Sequence, residues 1–417
     1  MHYLSYTHNL VIKHSKQILM NSAIELSEDK KTIIGFSTHN TESQSRRTIA
    51  VPGFINLHTH LSYSSIQLAP QELFPWLREL VKIQQIDQRF SPSTNALAGV
   101  LELAQSGTTF VIDNTSHPQE SYEALKKIGL KGLIGVEIFG SDPSKADAIF
   151  DKTINEISSL TAIKDDDIEF TLSPHASYDV SPLLWQKCIT WCKANGKRLL
   201  AHVAESAVEE KWFQDKDSFE VQAAKDFWTS INTLDIKLKN WKAYPSSIQY
   251  LYQNQLLDAC LLLTHMVHAS KSDLELVSKL NIPLVTCPRS NLYLKNGLAN
   301  YDLWQELNLD FGVGTDSKAS NQSLDIREEL KLIKNLNSKE KFELITSKAA
   351  KILCKEKNIG SLEKGMAADF VILEVTKDDL DLESLNIFDL ILDTTLTKIK
   401  SVIVNGKRLH PQHAKII

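Results

Sequence analysis

From Val51 onward, short apolar runs rich in β-branched residues alternate with longer helix-like stretches, the order expected of a parallel sheet covered by helices. Eight runs occur: AVPGFINLH (50–58), TTFVID (108–113), KGLIGVEIF (131–139), IEFTLS (168–173), RLLAHV (198–203), LLLTH (261–265), IPLVTC (282–287) and DFGVGTD (310–316). Eight is the number at which a parallel α/β sheet closes into a (β/α)8 TIM-type barrel. Between the runs, residues 92–105 end at Gly107, and residues 181–195 open on Ser-Pro and end at Gly196. Both carry the start and stop signals of helices.

The two ends of the chain have a different rhythm. Residues 1–49 alternate short apolar runs with polar turns, while ADFVIL (368–373) and IKSVIVNGK (399–407) read as strands, the second with an Asn-Gly hairpin signal. Both ends are expected to build one small β-domain from 1–50 and 364–417, beside a barrel over 51–363. The segment 207–258 is too long for a simple connector and carries nine aromatic residues, Trp212, Phe213, Phe219, Phe227, Trp228, Trp241, Tyr244, Tyr250 and Tyr252. It reads as a helical insertion able to cap a site.

With 417 residues, 42% of them hydrophobic, the chain can bury a sizeable core. Its net charge of −5 is spread over mixed acidic and basic residues, leaving no basic stripe for nucleic acid and no polybasic membrane patch. A small-molecule partner is the expectation. Residues 1–20 are polar every few positions, with no apolar run near the roughly 18 residues needed to span a bilayer, and are read as cytoplasmic. The five cysteines, at 188, 192, 260, 287 and 354, lack paired spacing, so they are expected to be buried or half-buried small hydrophobes.

Barrels of this kind build their sites at the C-terminal ends of the strands. Run one ends in His58 and leads to His60, run four leads to His175, run five holds His202, run six ends in His265, and run eight ends in Asp316. Strand side chains alternate faces, so His58 and His60 can point the same way. Alone, that pair is a weak signal. Its alignment with His202, His265 and Asp316 at three further strand ends points to a divalent metal, since imidazole and carboxylate ligands suit zinc and similar first-row cations. Glu205 follows His202 by three residues, where a carboxylate can move a proton between water and a substrate.

The runs PGFINLHTH, HVAES, THMVH, TCPRSNLYLKNG, GVGTDSKASNQSL, GSLEKGMAADFVIL and SVIVNGK, in that order through almost the whole chain, resemble the amidohydrolase superfamily. More narrowly they resemble its mononuclear-metal deaminases and chlorohydrolases, the branch with the adenosylhomocysteine/methylthioadenosine and guanine deaminases. The resemblance implies a (β/α)8 barrel flanked by a β-sandwich made from both ends. It also implies His58, His60, His202 and Asp316 as ligands of one metal, zinc first and iron or manganese served by the same donors. Glu205 would shuttle protons, His265 would help activate water and polarise the substrate, and Asp316 would pass a proton to departing ammonia. Binuclear relatives need a bridging lysine late in the fourth strand, which IEFTLSPH lacks. Of the pair in THMVH, His265 is taken over His268 because it ends the apolar run.

The stretch HVAESAVEEKWF, the aromatic insertion and TCPRSN resemble aminofutalosine deaminases more than the adenosylhomocysteine deaminases. That substrate, 6-amino-6-deoxyfutalosine of menaquinone biosynthesis, bears a carboxylate tail, and Arg289 has the fork geometry to hold one. His175, Trp76 and Asn291 complete the expected substrate contacts. Alternatives sharing the same metal centre are deamination of adenosylhomocysteine, methylthioadenosine, guanine or a pterin, and hydrolytic dechlorination. An alternative of another class is a metal-binding scaffold without catalysis. The resemblance further suggests a homodimer.

Overall fold

The structure, a computed structural model, describes residues 5–38, 48–87, 90–162, 165–377 and 386–409. Residues 1–4, 39–47, 378–385 and 410–417 of the expected terminal domain lie outside it. All eight runs form strands. Phe54–Thr59, Thr108–Thr115, Lys131–Ile138 and Ile168–Pro174 pair in that order as one parallel sheet. Leu199–Val203, Leu261–His265, Leu284–Thr286 and Phe311–Val313 form a second. These are called here the first to eighth parallel strands.

Backbone hydrogen bonds link the two sheets. The amide of His202 donates to the carbonyl of His175 at 3.0 Å, and the amides of Thr315 and Asp316 donate to the carbonyl of His58 at 3.0 Å each. Strands buried on both faces read as near-continuous apolar runs, which is why these segments lack polar alternation. Inward-facing Ile55, Leu57, Ile112, Leu133, Leu200, Leu262 and Val285, drawn from both sheets, pack into one core. The outward faces pack against the helices, including Pro92–Gln105 and Pro182–Ala194, which begin and end where the sequence signals place them.

The first run is two strands rather than one. Thr48–Pro52 belongs to a seven-stranded sheet built from both chain ends, and only Phe54–Thr59 joins the parallel sheet. The break falls at Gly53, where a Cβ would sit 2.0 Å from Oγ1 of Thr109. The boundary expected between residues 50 and 51 therefore lies inside a strand. In the terminal sheet, Thr48–Pro52 lies between Ser5–His14 and Phe370–Val375. Thr397–Val404 turns back to Lys407–Arg408 through Asn405 and Gly406, both at positive φ. Val11, Ile24, Leu26, Ile33, Phe370 and Ile403 form a core on one face of this sheet, while Ile12, Ile49, Val51 and Leu373 join the main core.

The 207–258 segment is helical, with helices Ala207–Gln214, Gln222–Ser230, Leu234–Lys239 and Ser247–Gln253. Trp212, Phe213, Phe227 and Trp228 pack with Phe74 and Tyr178, which ties the insertion to helix Leu73–Ile86 and to the loop after the fourth parallel strand. Phe219 and Tyr252 stay exposed. All five cysteines are free, and Cys354 is exposed rather than buried, because it follows the last turn of helix Ser347–Ile352 at the surface. Among the described residues no helix is long and apolar enough to cross a membrane.

Candidate metal centre and active site

Four strand ends bring His58, His60, His202, His265 and Asp316 together, all buried. Nε2 of His202 lies 3.2 Å from Nε2 of His60 and 3.3 Å from Nε2 of His58. Oδ1 of Asp316 lies 3.5 Å from Nε2 of His60 and 3.7 Å from Nε2 of His58. Tetrahedral zinc with bonds of about 2.0–2.1 Å sets its donor atoms about 3.3 Å apart, so the spacing fits.

The outer edges of the imidazoles decide which nitrogens carry protons. Nδ1 of His202 is 2.6 Å from the carbonyl oxygen of His175, which can only accept, so Nδ1 holds the proton and Nε2 presents a lone pair. Nδ1 of His60 faces Oε1 of Glu137 at 3.4 Å, and Nδ1 of His58 lies 2.8 Å from Nδ2 of Asn114, whose Oδ1 accepts from Ser173. The Nε2 lone pair of His202 thus faces Nε2 of His60 and of His58 at 3.2 and 3.3 Å, and a divalent cation fits the donor set.

Electrostatics favour neutral His58 and His202 but a protonated His60. Burial, then the neighbouring histidines, hold His58 and His202 well below the usual imidazole range, keeping them neutral as ligands must be. Burial opposes the charged form of His60, but Glu137, Asp316 and Asp113 outweigh it and lift it to about 9. Burial likewise opposes ionised Asp316, yet His60, His58 and His265 bring it down to about 2. Its Oδ2 accepts from the hydroxyls of Ser290 and Ser320.

Glu205 sits opposite this cluster, its Oε2 3.7 Å from Nε2 of His265 and its Oε1 accepting from Nδ2 of Asn296 at 3.3 Å. Burial, then the charge of Asp316, raises its pKa to about 8, which lets it take and give protons near neutrality. Its backbone is fixed by Glu209, which accepts from the amides of Ala204 and Glu205. Ala204, His265 and Asp316 all have positive φ, at 51°, 77° and 58°. Such backbone is held only where the surroundings over-determine it, and it gathers at functional sites.

A cavity of about 410 Å³ opens over the cluster, lined by His60, His202, Glu205, His265 and Asp316 at its floor. Trp76, His175 and Phe139 line its sides, with Phe227 and Ile231 of the insertion. Trp76 and His175 thus stand where the sequence placed them. Two expected contacts do not. Asn291 is buried behind the site with Oδ1 2.8 Å from Nδ1 of His265, so it orients that ring rather than touching a ligand. Arg289 is outside the cavity: Nε donates to Asn321, and Glu328 and Glu329 lie 3.8 Å from its guanidinium. These acids neutralise its charge away from the cavity. His268 also lies outside, its Nε2 3.0 Å from the carbonyl of Asn296.

Sequence reasoning missed Glu137, Asn114 and Asn296. Glu137 is the one charged residue near the end of the apolar run KGLIGVEIF, which was the available signal.

A strand-end cluster of three imidazoles and a carboxylate, faced by a proton-exchanging glutamate, is the outline of a metal-assisted hydrolase. Residues 49–409 match the amidohydrolase family, and the chain belongs to it. A 5-methylthioadenosine/S-adenosylhomocysteine deaminase of Thermococcus sibiricus is 25% identical over 97% of this chain and 92% of its own length. The solved aminofutalosine deaminase of Helicobacter pylori, in complex with methylthio-coformycin, superposes with a TM-score of 0.78 at 22% identity, covering 97% of this chain and 99% of that one. A zinc-bound adenosine deaminase from Xanthomonas campestris gives 0.73 at 20% identity, covering 96% and 91%.

Proposed function

We propose that this chain is a metal-dependent hydrolytic deaminase of an adenosine-like nucleoside. The observation that carries the reading is Glu205, buried beside His265 over the cluster of His58, His60, His202 and Asp316. His58, His60, His202 and Asp316 would hold one divalent cation, zinc first, and Glu137 and the His175 carbonyl orient its imidazoles. A cation there supplies hydroxide at neutral pH by lowering the pKa of water.

Glu205 takes a water proton and delivers it to the ring nitrogen beside the amine-bearing carbon. Asp316 accepts the second proton and passes it to departing ammonia. His265, its ring fixed by Asn291, polarises the substrate. His175 and Trp76 contact the bound nucleoside. The eight parallel strands act as one closed (β/α)8 barrel, with the terminal sheet as a sandwich beside it and 207–258 as the cap. The same reading makes the protein a cytoplasmic homodimer acting on a small molecule, not on nucleic acid or membrane.

Two substrates divide the class. The motifs from HVAES to TCPRSN favour 6-amino-6-deoxyfutalosine, whose carboxylate then needs a partner other than Arg289. The Thermococcus sibiricus relative favours 5′-methylthioadenosine and S-adenosylhomocysteine, and a cavity with no lysine or arginine among its described lining residues favours 5′-methylthioadenosine, the one of the three without a carboxylate. Ammonia release from 6-amino-6-deoxyfutalosine, 5′-methylthioadenosine, S-adenosylhomocysteine, guanine and a chlorinated triazine separates these. Turnover of one of the first three is expected. Turnover of guanine or the triazine alone sinks the adenosine reading, and a metal-loaded protein inactive on all five leaves the scaffold alternative.

A further inference from the structure

Lys237 is a lysine on a short surface helix whose side chain is nonetheless only 3% exposed. Its ammonium donates to Ser141 Oγ at 3.0 Å, to the carbonyl of Tyr178, and to Asp179 Oδ1 at 2.8 Å. It also lies 4.9 Å from the ring of Trp228 and 5.6 Å from that of Tyr178. All three N–H donors are used, so burial leaves no unsatisfied polar atom. The other carboxylate oxygen of Asp179 is 2.8 Å from Nδ1 of His175. Lys237, Asp179 and His175 therefore form one buried line from the insertion to the cavity.

We infer that Lys237 is a positioning residue for the deamination: through Asp179 it fixes the ring of His175 so that Nδ1 faces inward and Nε2 meets the substrate. This rests on the cavity being the deaminase site. A carboxylate without a cation at this depth would favour its neutral form, and neutral Asp179 could donate to His175 and reverse the ring's tautomer. Against burial, Lys237, then the hydrogen bond and charge of His175, hold Asp179 at about 2. It then only accepts, which sets the proton on Nδ1. The backbone is fixed in the same stroke: Gly140 N and Ser141 Oγ donate to the Asp179 carbonyl at 3.0 and 3.1 Å, and the His175 carbonyl holds His202 Nδ1. Phe227, Ile231 and Thr233, just before Lys237 in the chain, line the cavity themselves. One segment thus supplies both the wall of the cavity and the charge that orients a residue inside it.

A lysine that only anchored the insertion would affect activity solely through folding. The full-length, metal-loaded protein is assayed with 5′-methylthioadenosine and 6-amino-6-deoxyfutalosine, with melting temperature and metal content measured alongside. Lys237→Met and Asp179→Leu should each lower kcat/KM by about 30-fold or more at unchanged metal content. Lys237→Met/Asp179→Leu removes both buried charges, so it should recover melting temperature without recovering kcat/KM. In a His175→Gln background, adding Lys237→Met should cost less than about 3-fold, because the step it acts through is already gone. Should a single variant fail to fold, the double variant carries the comparison. Recovery of kcat/KM together with melting temperature in the double variant overturns the inference, as does a full multiplicative loss in the His175→Gln background. A wild-type protein inactive on both substrates overturns the deaminase reading and the inference with it.

Discussion

Replacing Glu205 by Gln separates proton transfer from everything else the site does. The side chain is 9% exposed, and glutamine keeps its volume and an oxygen for the amide of Asn296. What it loses is a carboxyl raised to about 8, able to exchange a proton at neutral pH. General acid–base groups contribute about 10²–10⁴-fold, a barrier change of about 3–5 kcal/mol at about 1.4 kcal/mol per tenfold. The variant should therefore lose about 10²–10⁴-fold in kcat with KM within a few-fold, since the interaction is made in the transition state. Steady-state ammonia release measures this, and elemental analysis should find wild-type metal content, because Glu205 is not among the proposed ligands. A kcat within about 5-fold of wild type would remove Glu205 from its role.

Trp228→Ala should destabilise the protein by about 3–5 kcal/mol, because the indole is fully buried with ring centroids 4.5 Å from Trp212 and 5.5 Å from Phe74. A shift below about 1 kcal/mol in urea unfolding would mean that the insertion does not rest on this cluster. The second concerns acid. Asp179 sits at about 2 in the folded protein against an ordinary 3.8, so its stabilisation is complete above pH 4 and fades as pH falls toward 2. The shift is worth roughly 2 kcal/mol. Urea midpoints between pH 5 and pH 2 should fall more steeply in wild type than in Asp179→Asn, and parallel curves would contradict the assignment.

Much of the site could be read from the sequence because strand ends and side-chain alternation are one-dimensional signals. His58, His60, His202, His265 and Asp316 each lie at or just beyond the end of an apolar run, and the structure brings them together. What resisted was set by contacts remote in sequence. Arg289 looked available to a ligand until Glu328 and Glu329, some forty residues on, were found against it. Asn291 differed for the same reason, its partner being His265 on another strand. The run 50–58 reads as one strand because nothing local shows that the chain passes at Gly53, close beside Thr109, from one sheet to another. Lys237, in the polar stretch LDIKLK, reads as a solvated lysine, and only the packing of Trp228 and Tyr178 reveals it as buried.

The central claim is that three imidazoles and one carboxylate from three strand ends converge on a single divalent cation. Anomalous diffraction from crystals of protein purified without chelator tests it most directly. One peak within bonding distance of Nε2 of His58, His60 and His202 and of Asp316 is the result the account predicts. No peak, two peaks, or a peak held by other residues would contradict it.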